Sequence, residues 1–249
     1  MSSSAPAELS VGAAPEDVLR WAYESFPRLV IVASFQAESS VLIDMASQIR
    51  DDATVLTLDT GRLPQGTHEM IDRIRDRYRI DLRVVAPDAA ELQEMVGRNG
   101  VNLFYKSPEN RRLCCDVRKS RPLARALQGY DAWVTGVRRQ QAATRAETPV
   151  VAPDREHNGL TKIAPLAGWS KEQVWAYIHD HDLPYHSLYD YGYTSIGCEP
   201  CTRATTPGED DRAGRWWWES ENEVKECGLH WAGRAQGAFS VKAKKVSAT

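Results

Sequence analysis

Short apolar runs alternate with amphipathic stretches over the first two-thirds of the chain. Buried strands are predicted where the apolar runs occur, over residues 29–33, 54–58, 82–85 and 132–136. Helices are predicted between them, over residues 15–26, 40–48, 65–79 and 115–127. Strands that alternate with helices are typical of the α/β class, with a parallel, twisted sheet that is flanked by helices on both faces.

The pattern changes after the fourth predicted strand. Residues 137–160 are polar and predict irregular structure, and Ser170-Lys171-Glu172-Gln173 matches the capping box that opens a helix. Beyond His181, tyrosines and tryptophans stand among glycines, prolines and charges, which indicates a loop-rich segment folded over the sheet. We therefore expect a flexible leader over 1–12, an α/β domain over 13–181, and a C-terminal extension of the same domain over 182–249, with a frayed tail.

Charge and composition exclude several classes of partner. The formal net charge is −3 and the isoelectric point is about 6.1, so a bulk attraction to nucleic acid or to an anionic membrane is not indicated. The sequence has no run of 18 apolar residues, and residues 1–12 lack the pattern of a secretory signal. A cytoplasmic location is the resulting expectation. In that compartment cysteines more often bind metals or react than form structural disulfides.

Four of the five cysteines form two close pairs, Cys114-Cys115 and Cys198-Glu-Pro-Cys201. Four soft thiolates suit zinc or an iron–sulfur cluster. An adjacent pair curls poorly around one tetrahedral ion, whereas neighbouring cysteines can bind different irons of a cubane, so the spacing favours a four-iron cluster. The alternatives are two buried structural cysteines for the first pair, and for the second a redox dithiol outside the thioredoxin setting.

The fifth cysteine, Cys227, stands in the segment Glu226-Cys227-Gly228-Leu229-His230. His230 would favour its thiolate form and Glu226 would oppose it. From these residues alone, an inert exposed thiol is at least as well supported as a nucleophile.

Basic residues cluster near the cysteines, which in a net acidic chain indicates a local anionic ligand. They are Arg111, Arg112, Arg118, Lys119, Arg121 and Arg125, then Arg138, Arg139 and Arg145, then Arg203, Arg212 and Arg215. A solvated helix face with i,i+4 pairs explains Arg121 and Arg125 equally well. Two strand ends offer an anion cradle, residues 34–40 and 59–61. Neither a standard P-loop nor a dinucleotide fingerprint is present.

Seven segments in a fixed order resemble the assimilatory adenylyl-sulfate reductases, relatives of the phosphoadenylyl-sulfate reductases. They are residues 34–40, residues 58–63, Cys114-Cys115-x-x-Arg118-Lys119, Thr135-Gly136-x-Arg138-Arg139-x-Gln141, Pro165-Leu166-x-x-Trp169, Gly197-Cys198-x-x-Cys201-Thr202, and residues 226–230. The double cysteine pair together with the terminal Glu-Cys-Gly-Leu-His is highly specific, and the segments cover nearly the whole chain.

The resemblance implies a fold like the adenine nucleotide α-hydrolases, with residues 13–181 as the nucleotide-binding domain and 182–249 carrying a cluster loop and the catalytic cysteine. It implies a 4Fe-4S cluster, with an electrostatic and structural role, on Cys114, Cys115, Cys198 and Cys201. It also implies reduction of adenosine 5′-phosphosulfate (APS) to sulfite and AMP by a thioredoxin-type reductant, in sulfate assimilation and cysteine biosynthesis. Cys227 would be the nucleophile, through an S-sulfocysteine intermediate.

The same resemblance implies a substrate site distributed over the whole chain. Its members would be Ser34, Phe35, Gln36, Ser40, Asp59, Thr60, Lys119, Gly136, Arg138, Arg145, Arg212, Arg215 and His230. The chain departs from the family pattern at Gln36, where glycine is common, at Ala142-Ala143, where serine often stands, and at Arg111, where some relatives have histidine.

Three alternatives remain open at this point. One is a reductase of the same family that uses the 3′-phosphorylated substrate. A second is a tRNA-thiolating ATP pyrophosphatase, which should show Ser-Gly-Gly-x-Asp-Ser where this chain has Ser-Phe-Gln-Ala-Glu-Ser at 34–39. The third is a non-enzymatic cluster- or zinc-binding module that senses nucleotides. Assembly with further copies of the chain also stays open.

Overall fold

A computed structural model describes residues 12–220 as a six-stranded sheet with helices on both faces. The strands are β1 (Leu29–Val32), β2 (Ala53–Leu58), β3 (Ile80–Val85), β4 (Ala132–Thr135), β5 (Val151–Asp154) and β6 (Leu160–Ile163). Their order in the sheet is β3-β2-β1-β4-β6-β5, and every neighbouring pair is parallel except β5 with β6. The predicted α/β class is confirmed, and an antiparallel edge strand is added to it.

The helices are α1 (Pro15–Ser25), α2 (Ala37–Ile49), α3 (Gln65–Arg77), α4 (Ala89–Asn99), α5 (Pro108–Cys115), α6 (Arg121–Ala126) and α7 (Lys171–Asp180). The two faces of the sheet bury different groups of side chains. Ile31 of β1 belongs to a core with α1, α2 and α7, while its neighbour Val30 belongs to a core with Leu123 of α6 and Trp133 of β4. This alternation follows from the two-residue period of a strand.

The structure differs from the prediction at the start of one helix, in one region predicted to be irregular and by one helix that was not predicted. Helix α2 begins at Ala37 and not at residue 40, with the extended Gln36 at the N-cap position and the Gln36 carbonyl accepting from the Ser40 N–H. The region 137–160 is not wholly irregular, since it contains β5 and the first residue of β6. Pro153 lies inside β5, and an edge strand tolerates a proline that a central strand would not. Helix α4 was not predicted, although Asp88 caps it by accepting a hydrogen bond from the Glu91 N–H at 3.0 Å.

The helix predicted over 115–127 is part of a longer helical run that begins at Pro108. Between α5 and α6 it contains a wide π-helical turn, Asp116–Ser120. One residue, Arg121, separates this turn from Pro122, which has no backbone N–H and cannot complete an ordinary α-helical hydrogen bond. The Ser170 capping box is confirmed, since Ser170 Oγ accepts from the Gln173 N–H and the Gln173 side chain accepts from the Ser170 N–H.

Residues 182–220 contain only short 3₁₀ turns, at Ser187–Tyr191 and Glu199–Cys201, and one isolated bridge between Thr202 and Arg215. The expected leader, the tail, Cys227 and His230 lie mostly or wholly outside the described residues. Within residues 12–220, none of the helices has the length and apolar character needed to cross a bilayer.

Candidate active site

A cavity of about 170 Å³ opens at the carboxyl edge of the sheet. It lies where β1 and β4 are neighbours, the point at which the strand order reverses and where open α/β sheets bind ligands. Loops after β1, β2 and β4 form its floor, and residues 194–197 and 211–215 of the C-terminal region form its wall. The predicted substrate residues in its lining are Ser34, Gln36, Thr60, Lys119, Gly136, Arg138, Arg145, Arg212 and Arg215.

Three other predicted substrate residues lie behind this lining. Phe35 is fully buried with a positive φ of 55°, and Ser40 is fully buried with no hydrogen-bond partner for Oγ among the described residues. Asp59 accepts a hydrogen bond from the Gly61 N–H at 2.8 Å and so holds the turn after β2. In the structure these side chains shape the loops that carry the cavity residues.

The loop after β1 adopts its conformation without a glycine at position 36. Phe35 takes the left-handed backbone, whereas Gln36 is extended, with φ −84° and ψ 176°. The Ser34 N–H donates to Ser39 Oγ at 3.0 Å, which closes the loop on the first turn of α2. The departure from the family pattern at Gln36 therefore places no strain on the backbone at that position.

Gly136 allows the end of β4 to approach α2 closely. A Cβ at this position would lie 2.8 Å from the Cβ of Glu38, which is shorter than any normal contact. The buried Glu38 carboxylate accepts from Arg138 Nε at 2.8 Å and from Gln141 Nε2 at 2.9 Å. Glu38 was missed by sequence reasoning, because its partners are about 100 residues away along the chain.

Gln141 also holds Arg145, whose Nη1 donates to Gln141 Oε1 at 2.6 Å. Ala142 and Ala143, the second departure from the family pattern, are not part of the cavity lining, and Ala143 is exposed. The alanines therefore remove no group from the cavity wall.

Arg215 enters the cavity wall beside a second glycine. A Cβ on Gly197 would lie 2.2 Å from Arg215 Nη2, so only glycine leaves room for this guanidinium. Arg215 is 5% exposed, and its Nη1 donates to the Ile196 carbonyl at 3.2 Å. Its other face lies over the Trp216 ring, with 4.8 Å between the guanidinium carbon and the ring centroid.

The four paired cysteines line a second, smaller cavity next to the first. Cys114, Cys198 and Cys201 are buried, and Thr60 Oγ1 lies 3.3 Å from Cys198 Sγ. Burial raises the pKa of Cys114, and burial together with the charge of Cys198 raises the pKa of Cys201 to about 12. The ionised form of both thiols is therefore disfavoured by their surroundings, although the charge of Lys119 opposes the rise of the pKa at both.

The four cysteine thiols and the polar groups around them suit an iron–sulfur cluster chemically. Two buried N–H groups near the cysteines, Arg118 Nε and Trp216 Nε1, have no acceptor among the described residues, and cluster or thiolate sulfur could accept from them. Within residues 12–220, however, no three Cys, His, Asp or Glu side chains stand together as a ready metal-binding group. The four cysteines share a cavity without converging on one point.

Comparison with known proteins assigns the family. Residues 28–204 match the family model of the phosphoadenosine phosphosulfate reductase domain. The chain belongs to this family. Membership of the phosphoadenosine phosphosulfate reductase family confirms the resemblance seen in the sequence.

Individual relatives agree with this assignment. An adenosine 5′-phosphosulfate reductase of Allochromatium vinosum is 47% identical over 88% of this chain and 84% of its own length. One of Halalkalibacterium halodurans is 45% identical over 86% of this chain and 90% of its own. A crystal structure of phosphoadenylyl-sulfate reductase from Candida auris, a phosphate complex, superposes with a TM-score of 0.67 at 32% identity, covering 78% of this chain and 92% of that one.

The fold extends beyond the family. A structure of FMN adenylyltransferase from Candida glabrata superposes with a TM-score of 0.54 at 14% identity, over 88% of this chain and 76% of that one. At this identity the likeness concerns the fold alone.

Proposed function

We propose that the protein reduces adenosine 5′-phosphosulfate to sulfite and AMP, with a thioredoxin-type dithiol as the source of electrons. The observation that carries this proposal is the cation-lined cavity at the carboxyl edge with four cysteines beside it. Lys119 lines both cavities. Relatives named adenosine 5′-phosphosulfate reductase, with identities of 42–47%, support the choice of substrate.

The cations of the cavity would offset the charge of the ligand. APS carries negative charge on its phosphate and on its sulfate, and an attacking thiolate adds a third anion. Lys119, Arg145, Arg212 and Arg215 line the space in which this charge would gather. The Ser34 loop and the N-terminus of α2 would supply N–H and hydroxyl donors for the phosphate.

The chemistry would begin at Cys227, which with His230 lies outside the described residues. The Cys227 thiolate forms a bond to the sulfate sulfur, the bond from that sulfur to the bridging oxygen breaks, and AMP leaves with the electron pair. A dithiol then attacks Cys227 Sγ and releases sulfite. The second thiol of the donor resolves the mixed disulfide, which leaves the donor oxidised and Cys227 reduced.

Cys114, Cys115, Cys198 and Cys201 would hold a 4Fe-4S cluster. When bound, the cluster would supply local charge and would fix the two cysteine segments beside the substrate cavity. Iron and acid-labile sulfide analysis of anaerobically purified protein tests this. We expect four of each per chain in the wild type and a large loss in Cys201→Ser, and protein that is fully folded without iron would overturn the proposal.

The 3′-phosphorylated substrate is the competing candidate, because the Candida auris structure bears the name of a reductase for that compound. Sulfite release from equal concentrations of the two nucleotides decides between them. We expect faster release from APS, and faster release from the 3′-phosphorylated form would reverse the assignment.

Intact-mass measurement after incubation with APS, without reductant, tests the mechanism. We expect a sulfo adduct that maps to Cys227 by proteolysis, that is absent in Cys227→Ser, and that a dithiol removes as sulfite. Absence of an adduct on cluster-loaded wild type would contradict the proposal. A cytoplasmic location and assembly into homo-oligomers remain predictions.

A further inference from the structure

The Gln36 side chain joins two loops that face each other across the cavity. Its Oε1 accepts a hydrogen bond from the Ile196 N–H at 2.7 Å, and its Nε2 donates to Ser34 Oγ at 3.2 Å. The orientation of the amide is settled by chemistry, because a backbone N–H can only donate and must face the oxygen. Nε2 is therefore the atom that faces Ser34.

This orientation determines what the Ser34 hydroxyl can do. A hydroxyl oxygen that accepts from Gln36 keeps its own hydrogen for a different acceptor. Ser34 is exposed and lines the cavity, so an anionic oxygen of a bound ligand is the acceptor within its reach. The other end of the amide holds Ile196, whose carbonyl accepts from Arg215 Nη1 at 3.2 Å.

We propose that Gln36 is a positioning residue that keeps the Ser34 hydroxyl as a donor to the ligand anion and holds the Ile196 segment that carries the Arg215 contact. The proposal rests on the proposed function, since it takes APS as the ligand. Gln36 acts through Ser34 and Ile196 and needs no contact of its own with the ligand.

Two replacements of similar length separate this role from a simple space-filling one. Gln36→Met keeps the shape and removes both hydrogen bonds. Gln36→Glu keeps the shape and the bond to Ile196, but the introduced carboxylate takes the Ser34 hydrogen and turns the hydroxyl away from the ligand. A space-filling role predicts that Gln36→Met binds like the wild type, whereas the positioning role predicts weaker binding by Gln36→Met and still weaker binding by Gln36→Glu.

The test measures APS binding by calorimetry on full-length, cluster-loaded protein in a Cys227→Ser background, in which no transfer occurs. We expect Kd to rise ~10-fold in Gln36→Met and ~100-fold in Gln36→Glu, the range for hydrogen bonds to charged groups. Gln128→Glu is the matched control, because it makes the same charge change on an exposed residue near the opposite edge of the sheet. It should leave Kd unchanged.

A double-substitution cycle separates the hydroxyl from plain charge repulsion. In a Ser34→Ala background, the ratio of the Kd of Gln36→Glu to the Kd of the protein with Gln36 should be ~10-fold smaller than with Ser34 present, because no hydroxyl remains to be turned. An unchanged ratio of the Kd values, or a Gln36→Glu variant that binds APS as tightly as the wild type, would overturn the proposed role of Gln36. Either result would leave the proposed function standing. Failure of the parent protein to bind APS would instead overturn the proposed function and this inference with it.

Discussion

Arg111 and Glu219 form a two-point ion pair in the interior, with Nε–Oε1 and Nη2–Oε2 both 2.9 Å apart. Each side chain is only 2% exposed. Arg111 also lies over the Trp216 ring at 4.6 Å and lines the cavity of the four cysteines. The pair therefore ties α5, which carries the first cysteine pair, to the last part of the described chain.

Removing one partner of this pair should destabilise the protein strongly. Glu219→Gln removes the carboxylate charge that faces the buried Arg111 guanidinium, so the free energy of unfolding should fall by ~3–5 kcal/mol. Urea unfolding of the cluster-loaded protein measures this. Glu94→Gln, in the exposed pair with Arg98, is the control and should change it by less than about 1 kcal/mol. Equal effects from the two variants would contradict the prediction.

Gly136→Ala should disturb the cavity floor more than the rest of the fold. The new methyl group would meet Glu38 Cβ at 2.8 Å, so α2 and β4 must separate and the Glu38–Arg138 pair must shift. We expect sulfite release to fall by ~10-fold or more, since loss of one well-placed charged contact is about 1.5–3 kcal/mol.

Gly97→Ala in α4 is the matched control for that change. A Cβ added to Gly97 would have no atom within 4 Å, so alanine should raise the free energy of unfolding by ~0.5–1 kcal/mol and leave activity intact. Thermal melting measures the stability of both variants, and a sulfite assay measures their activity. An active Gly136→Ala enzyme would show that the close approach is dispensable.

Two glycines beside Arg215 should respond differently to alanine. At Gly197 the new Cβ meets the end of the Arg215 side chain rather than backbone and displaces the guanidinium from Ile196, so the fold should persist while APS binding weakens. At Gly214 it meets the Arg203 carbonyl oxygen at 2.3 Å, and this backbone cannot move as easily. Gly214→Ala should therefore lower the melting temperature more, and Gly197→Ala should raise KM more. The reverse ranking would count against this interpretation.

His186 should make the protein sensitive to mild acid. Its Nδ1 accepts from the Leu188 N–H at 3.2 Å, so the ring is neutral and Nε2 carries the hydrogen that faces Thr67 Oγ1 at 3.0 Å. Burial lowers the pKa of His186 from 6.5. The unfolded chain thus binds a proton that the folded chain does not, and stability should fall as pH drops below about 6.5, by at most about 1.4 kcal/mol per pH unit.

Urea unfolding between pH 7.5 and pH 5 measures this dependence. In His186→Asn, whose Oδ1 can still accept from the Leu188 N–H, the free energy of unfolding should fall less steeply as the pH is lowered. His181→Asn, on an exposed histidine, should keep the slope of the wild type. An unchanged slope in His186→Asn would exclude His186 as its source.

Local patterns were enough to predict the strands that carry the cavity. β1, β2 and β4 are short apolar runs, and the capping box at Ser170 predicts the start of α7. The antiparallel edge was missed because Pro153 and the polar residues around it are atypical of a central strand. Such an edge depends on pairing with β6, which no window of a few residues reveals.

Much of the site depends on contacts between distant parts of the chain. Cys114 and Cys198 are 84 positions apart, and they were assigned to one site from the soft thiolates, the spacing of the two pairs and the family resemblance, before the structure placed them in one cavity. The partners of Gln36, and the pairing of Arg111 with Glu219, likewise had no local signal. The sequence identified Gln36 as a substrate residue and as a departure from the family pattern, whereas the structure shows a side chain that connects two loops.

The π-helical turn Asp116–Ser120 sets the direction in which the first cysteine pair points. One residue of an α-helix corresponds to a rotation of about 100° about the helix axis. If the same five residues formed an ordinary α-helix, the turn would hold one residue more than it needs, so α5 would rotate by about that angle relative to α6 and Cys114 would point away from Cys198 and Cys201. A change in the backbone of this turn that leaves every cysteine in place in the sequence would thus abolish the shared cavity, so the cavity depends on the wide turn as well as on the cysteines.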